Sequence, residues 1–222
     1  LDAIPVHRFI IENGSIQELR VGFENQRLCW KREAATGQLL RAIRREINSL
    51  QSPLPSVFQS EVNLSIPPWL QKVDQAMSRG VMLFIDYGHS ADQFYSPSRA
   101  DGTLMCHYRN RAHADPFAYP GIQDISSHVN FSAVADAAIE IGLRSLGYTT
   151  QAHFLMGCGI TELLEQALEE NLSEKAYLGM TQAVKLLTLP DTMGEIFKVL
   201  CLGKNWDGAL RGLALCDLSH TL

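Results

Sequence analysis

Five consecutive apolar residues, Val81-Met82-Leu83-Phe84-Ile85, follow Arg79-Gly80 and stop abruptly at Asp86-Tyr87-Gly88. A short run that is apolar throughout, with no alternation, fits a strand buried on both faces, as in a parallel sheet covered by helices. Ligands of such sheets bind beyond the carboxyl ends of the strands, which is where Asp86, Tyr87 and Gly88 emerge. The same eight residues also fit a strand that ends in an ordinary turn.

The segment 102–131 narrows the choice. It holds Gly102-Thr103-Leu104, Tyr108, Arg109, Arg111, His113, Asp115-Pro116, Pro120-Gly121, Asp124, His128 and Phe131. Pro116 and Pro120 exclude a regular helix, because each lacks an amide hydrogen and restricts the residue before it. A loop of about thirty residues between packed elements is uncommon unless it is functional or disordered. Its aromatic and apolar content argues against disorder. The segment reads as an ordered functional loop.

The pattern Ile85-Asp86-Tyr87-Gly88, Gly102-Thr103-Leu104, Tyr108, His113, Asp115-Pro116, Pro120-Gly121, Asp124-Ile125, His128-Val129 and Phe131 resembles the MidA-type family of S-adenosylmethionine-dependent methyltransferases. Asp2-Ala3-Ile4-Pro5-Val6-His7-Arg8-Phe9 resembles the family's Asp-Ala-Leu-Pro segment. Its C-terminal end is similar to Gln182-Ala183-Val184-Lys185-Leu186-Leu187 with Met193-Gly194-Glu195 and Phe197-Lys198-Val199-Leu200. One departure is Asn130, where the family usually carries Asp. The resemblance implies an α/β fold, the C-terminal part of a class I (Rossmann-like) methyltransferase sheet whose final strand inserts antiparallel between the previous two. It implies S-adenosylmethionine as cofactor and, from the mitochondrial members, a protein-arginine substrate such as a respiratory complex I subunit. The compartment would be the cytoplasm in a bacterium or the mitochondrial matrix in a eukaryote.

The glycines are scattered, and no Gly-x-Gly-x-x-Gly fingerprint occurs. Against the family pattern, the chain starts after the fourth strand. The expectation is therefore the C-terminal part of a longer protein whose glycine-rich cofactor half is absent. Residues 1–222 alone should then bind S-adenosylmethionine weakly. Uncovered apolar faces should favour association, including a homo-oligomer.

Forty-six per cent hydrophobic residues indicate a globular class. No apolar run approaches the roughly 18 residues that span a membrane. The net charge of −5 argues against a nucleic-acid footprint. Five cysteines, widely spaced and never Cys-x-x-Cys, favour reduced thiols over a disulfide framework. Cys158 and Cys201 read as core filler. Cys106-His107 with His113 and His128 could be drawn as a metal site, but the spacings match no zinc pattern, and no metal is expected.

The periodicity predicts antiparallel strands within 6–31 (6–11, 16–23, 27–30), with Asn13-Gly14 as a hairpin turn. Residues 32–80 read as a helical segment, with Leu39, Leu40, Ile43, Ile47 and Leu50 at helical spacing and Pro67-Pro68 opening a second helix. Residues 81–222 hold the sheet strands 81–86, 148–156 and 196–202. Helices are predicted at 131–142, 161–172 and 173–187, and a strand or helical turn at 210–215. That order is expected of the latter part of a doubly wound sheet.

Methyl transfer is an in-line displacement at a sulfonium carbon, so the protein mainly aligns the reactants. An arginine nucleophile is protonated at neutral pH and must be held by carboxylates as it loses its proton. Asp86 and Asp124 are the candidate acids. His128 is the candidate proton acceptor, its unperturbed pKa being near neutrality. These three should converge on one cleft. Tyr87, Tyr108 and His113 are candidates for binding the substrate, and Asp2 for the cofactor side. An alternative has Asp115 and Asp124 capping turns and the histidines satisfying buried carbonyls. A second reading of the whole chain is a non-catalytic assembly factor that grips a partner through the loop and hairpins. The 6–31 strands are expected beside the 102–131 loop on the substrate side, with Phe9 and Phe23 in a local core.

Overall fold

The computed structural model describes residues 1–169 and 173–222. In chain order come β1 (His7–Glu12), β2 (Ser15–Glu24), β3 (Arg27–Ala34), α1 (Gly37–Asn48), β4 (Val57–Val62), α2 (Ile66–Gln75), β5 (Gly80–His89) and α3 (Ala91–Phe94). Then follow β6 (Met105–Tyr108), β7 (Arg111–His113), β8 (Asp124–Ser126), β9 (Val129–Asn130), α4 (Phe131–Glu140), β10 (Arg144–Thr150) and α5 (Gln151–Cys158). Last are α6 (Ile160–Glu169), α7 (Glu174–Thr188) and β11 (Phe197–Lys204). They divide into two compact units: residues 1–70 with 89–134, and 71–88 with 135–222.

In the first unit β3, β2, β1 and β4 form an antiparallel sheet in that order. Two-residue turns set its registers. Asn13 and Gly14 sit at φ 51° and 77°, and Asn25 and Gln26 at 49° and 61°, the left-handed pairs whose twist suits tight hairpins. The first turn is the predicted one; the second escaped the sequence reading. The core gathers Phe9, Leu39, Ile43, Phe58, Val62, Phe94 and Tyr95, each such side chain stabilising the unit by about 2 kcal/mol. Leu39 and Ile43 sit one turn apart on the buried face of α1. Phe9 belongs to this core, but Phe23, expected beside it, is 67% exposed at the tip of the β2–β3 ribbon.

Two expectations are corrected here. Residues 32–80 are not wholly helical, because β4 pairs with β1 along its full length. The segment 102–131 is not a plain loop: β7, β6 and β8 form a small antiparallel sheet inside it. The β6–β7 turn again uses a left-handed pair, Arg109 at φ 49° and Asn110 at 61°.

In the second unit β11 lies between β10 and β5, antiparallel to both. Val199, Leu200, Cys201 and Leu202 are fully buried. Burial pushes the Cys201 thiol up to about 12. Cys158, by contrast, is exposed and not core filler. The apolar run of β5 is not buried on both faces. Leu83 and Ile85 are about half exposed while Met82 is buried, and the strand pairs antiparallel with β11. An uninterrupted apolar run specifies a strand but not how many of its faces are covered.

The strand expected at 148–156 ends at Thr150, whose hydroxyl accepts from the His153 amide at 3.3 Å and caps α5. Ser173 caps α7 through the Ala176 amide. The expected helix 161–172 is seen as α6; its last three positions, 170–172, lie outside the described residues. The 210–215 stretch is a helical turn. Asp217 ties this end to β10, accepting from the Tyr148 amide at 3.1 Å and from the Ser219 hydroxyl at 2.6 Å.

Candidate functional site

Arg8 on β1 and Glu61 on β4 are cross-strand partners, and Arg8 Nε donates to Glu61 Oε1 at 3.3 Å. The Glu61 side chain is 1% exposed. Its other oxygen accepts from the Thr103 amide at 2.9 Å and the Thr103 hydroxyl at 3.2 Å. Burial pushes the Glu61 carboxyl above its ordinary range, against the pull of Thr103 and Arg8. Gly102 makes the approach possible: its φ is +82°, and a Cβ there would lie 2.3 Å from Glu61 Oε1. The Thr103 hydroxyl also accepts from the His128 amide at 3.0 Å. The His128 ring packs against His89, centroids 5.2 Å apart.

Arg8 also borders a cavity of about 480 Å³ lined mainly by apolar groups. Its walls come from the N-terminal segment (Asp2 to Val6), from the β2–β3 ribbon (Val21, Leu28, Trp30) and from the 102–131 segment (Phe117, Ile125, Ser126 among others). The Arg8 guanidinium lies 5.1 Å over Trp30, and Trp30 meets Phe117 at 5.0 Å. Asp2 is held in place by its carbonyl, which accepts from the Ser127 amide at 3.1 Å. The ribbon thus stands beside the 102–131 segment, as expected, in one wall.

Among the other predicted residues, Tyr108 stacks on Tyr119 at 4.3 Å, and His113 meets the same ring edge-on at 5.7 Å. Tyr119, which sequence reasoning missed, therefore joins two candidates. Neither ring nitrogen of His113 has a hydrogen-bond partner among the described residues, so this imidazole does not satisfy a carbonyl. Asp124 is exposed on β8 opposite His107, where it is paired in a strand and not placed in a turn. Asp115 does cap one, accepting from the Phe117 amide at 2.9 Å. Asp86 and Tyr87 belong to the second unit. There Asp86 is 7% exposed and its carboxylate accepts from the Tyr87 amide at 2.9 Å. Tyr87 packs edge-on against Phe197.

The departure at Asn130 has a local partner. Its amide donates to the buried Glu46 carboxylate at 2.9 Å, while its carbonyl accepts from the Ala133 amide at the start of α4. An Asp would set two carboxylates against each other. Among the described residues no group of three His, Cys, Asp or Glu side chains is arranged to hold a metal ion.

Glu61 and His89 had no signal in the sequence, and Arg8 stood in the Asp2–Phe9 segment without a role, since their partners lie 53, 42 or 39 positions away. Gly102-Thr103 was visible as a motif without its partner.

Residues 1–149 match the family described as "Putative S-adenosyl-L-methionine-dependent methyltransferase". The chain belongs to that family. A crystal structure of an uncharacterized protein from Burkholderia thailandensis shares 36% identity and a TM-score of 0.90, covering 100% of this chain and 57% of its own. A second structure from that organism, of the same superfamily and bound to S-adenosyl-homocysteine, shares 35% identity and a TM-score of 0.88, covering 100% and 56%. The chain thus spans a little over half the length of these two proteins. No curated protein matches it.

Proposed function

We propose that this chain carries the acceptor side of an S-adenosylmethionine-dependent methyltransferase that acts on a protein arginine side chain. The single observation behind the acceptor assignment is the first-unit cavity, where Asp2, expected on the cofactor side and here reassigned to the acceptor side, shares an apolar wall with Trp30 and Phe117. A substrate arginine needs a carboxylate for its charge and a flat face for its guanidinium. Trp30 already bears one guanidinium, that of Arg8, on its ring.

When bound, S-adenosylmethionine supplies a methyl group on a cationic sulfur. The cavity fits the apolar and aromatic demands of methyl transfer better than those of a nucleoside, because its polar groups are few and no glycine-rich loop borders it. We place the nucleoside grip in the part of the relatives that this chain does not span. Within the first unit we assign Asp124 to orienting the guanidinium, His128 to accepting its proton, and Tyr108 and His113 to shaping the acceptor site; Asp86 and Tyr87, of the second unit, we keep as a proposed acid and a proposed substrate contact.

Two measurements test this. The full-length protein, given tritiated S-adenosylmethionine and a hypomethylated protein extract, should yield methylarginine on acid hydrolysis, and His128→Ala should lower the rate about 100-fold. Label recovered only in lysine removes the arginine assignment; wild-type rates in folded Asp86→Asn and His128→Ala variants remove the catalytic ones. By calorimetry the S-adenosyl-homocysteine-binding relative should bind the cofactor and residues 1–222 alone only weakly. Micromolar binding by the shorter chain would move the nucleoside grip into it.

A further inference from the structure

We propose that Glu61 is a positioning residue for His128, acting through the Thr103 hydroxyl, and that His89 confines the His128 ring. This rests on the reading of His128 as the proton acceptor. A single hydroxyl does both jobs in the link: Thr103 Oγ1 donates to Glu61 Oε2 at 3.2 Å and accepts from the His128 amide at 3.0 Å. Donation to a carboxylate polarises the hydroxyl and strengthens it as an acceptor. The carboxylate cannot drift, because Arg8 Nε holds one oxygen and the Thr103 amide the other. Arg8 is fixed in turn by the Asp101 carbonyl at 3.0 Å.

The consequence is a change in what specifies the histidine. His128 lies between the short strands β8 and β9, a part of the chain with little sheet of its own. Through Thr103 its backbone is referred to β4, which is paired along its length with β1 in the main sheet of the unit. Its ring then meets a second imidazole, His89, at 5.2 Å and a 43° tilt. His89 directly follows Asp86-Tyr87-Gly88 in the chain. Gly102 completes the device by leaving room for the carboxylate at a backbone angle that other residues rarely adopt.

The test compares Thr103→Val, which keeps the shape and deletes the hydroxyl, with Thr103→Ser, which keeps the hydroxyl. In the full-length protein labelled with ¹⁵N-histidine, Thr103→Val should displace the His128 ring resonances and Thr103→Ser should not. His89→Ala should broaden the same resonances. With tritiated S-adenosylmethionine and the hypomethylated extract, Thr103→Val should cut the initial rate at least tenfold with the cofactor Kd within twofold. Thr103→Ser should recover the rate to within threefold of wild type. Should Thr103→Val fail to fold, Glu61→Gln takes its place with the same resonances expected to move. Unmoved His128 resonances in a folded Thr103→Val or Glu61→Gln protein overturn the proposal, even if His128→Ala proves inactive. Moved resonances beside a fully active His128→Ala would keep the positioning link and sink the proton-acceptor reading instead.

Discussion

At the scale of single residues, the first unit is held by polar groups that each have one tolerable chemistry. Asn130→Asp would restore the family's usual residue yet face the buried Glu46 carboxylate. It should destabilise the chain by about 1–3 kcal/mol at neutral pH in urea unfolding. Gly102→Ala combines a left-handed φ with a 2.3 Å approach to Glu61, and should cost about 2 kcal/mol or more. Asp217 offers the pH-dependent case. Burial works to raise its carboxyl pKa, but hydrogen bonds from Ser219 and from the Tyr148 amide prevail and leave it below its ordinary value. A depressed pKa contributes stability above the usual carboxylate range, and that contribution is lost as pH falls through the folded value. Asp217→Asn should therefore cost about 1 kcal/mol at pH 7, discounted for exposure, and nothing once wild-type Asp217 is protonated. Urea midpoints across the acid range would check it.

At the scale of elements, turn chemistry governs. Asn110 at φ 61° closes the β6–β7 hairpin. Asn110→Val should cost about 1–2 kcal/mol, since a β-branched residue is strained there, while Asn110→Gly should be nearly neutral. Phe23→Ser should change stability by less than about 0.5 kcal/mol and Phe9→Ala by about 3–5, because only the second side chain is buried. The same contrast shows what the sequence could reveal. Alternation marked β1, β2 and β3 but not which end of the ribbon leaves the core. β4 was hidden because Ser60 and Glu61, adjacent and so on opposite faces, are both buried polar residues, and Val57–Val62 shows neither period. β6, β7 and β8 are three or four residues long and framed by Gly and Pro, too short for any pattern. Thr150 concealed the switch from β10 to α5, since Thr149 and Thr150 read as strand until a cap is seen. At the site, Asp2, Tyr108, His113 and His128 were legible only through the family pattern. The Arg8–Glu61–Thr103 link was not, because it joins segments 53 and 42 residues apart.

At the scale of the whole molecule, neither unit is a continuous stretch of chain: residues 71–88 leave the first and belong to the second. A fragment of residues 1–134 would keep the first unit's sheet and carry β5 without β10 or β11. Sedimentation should show it self-associating, and replacing 71–88 with a polar linker should restore a monomer. The ordering of β11 between β5 and β10 also has a bearing on biosynthesis. The two flanking strands leave the ribosome first, and the strand that separates them, buried through its middle, follows some fifty residues later, an interval of several seconds at usual elongation rates. During that interval two sheet edges stand ready for each other or for a neighbouring nascent chain. For this half of the protein, the speed of translation past Thr150 becomes a determinant of yield.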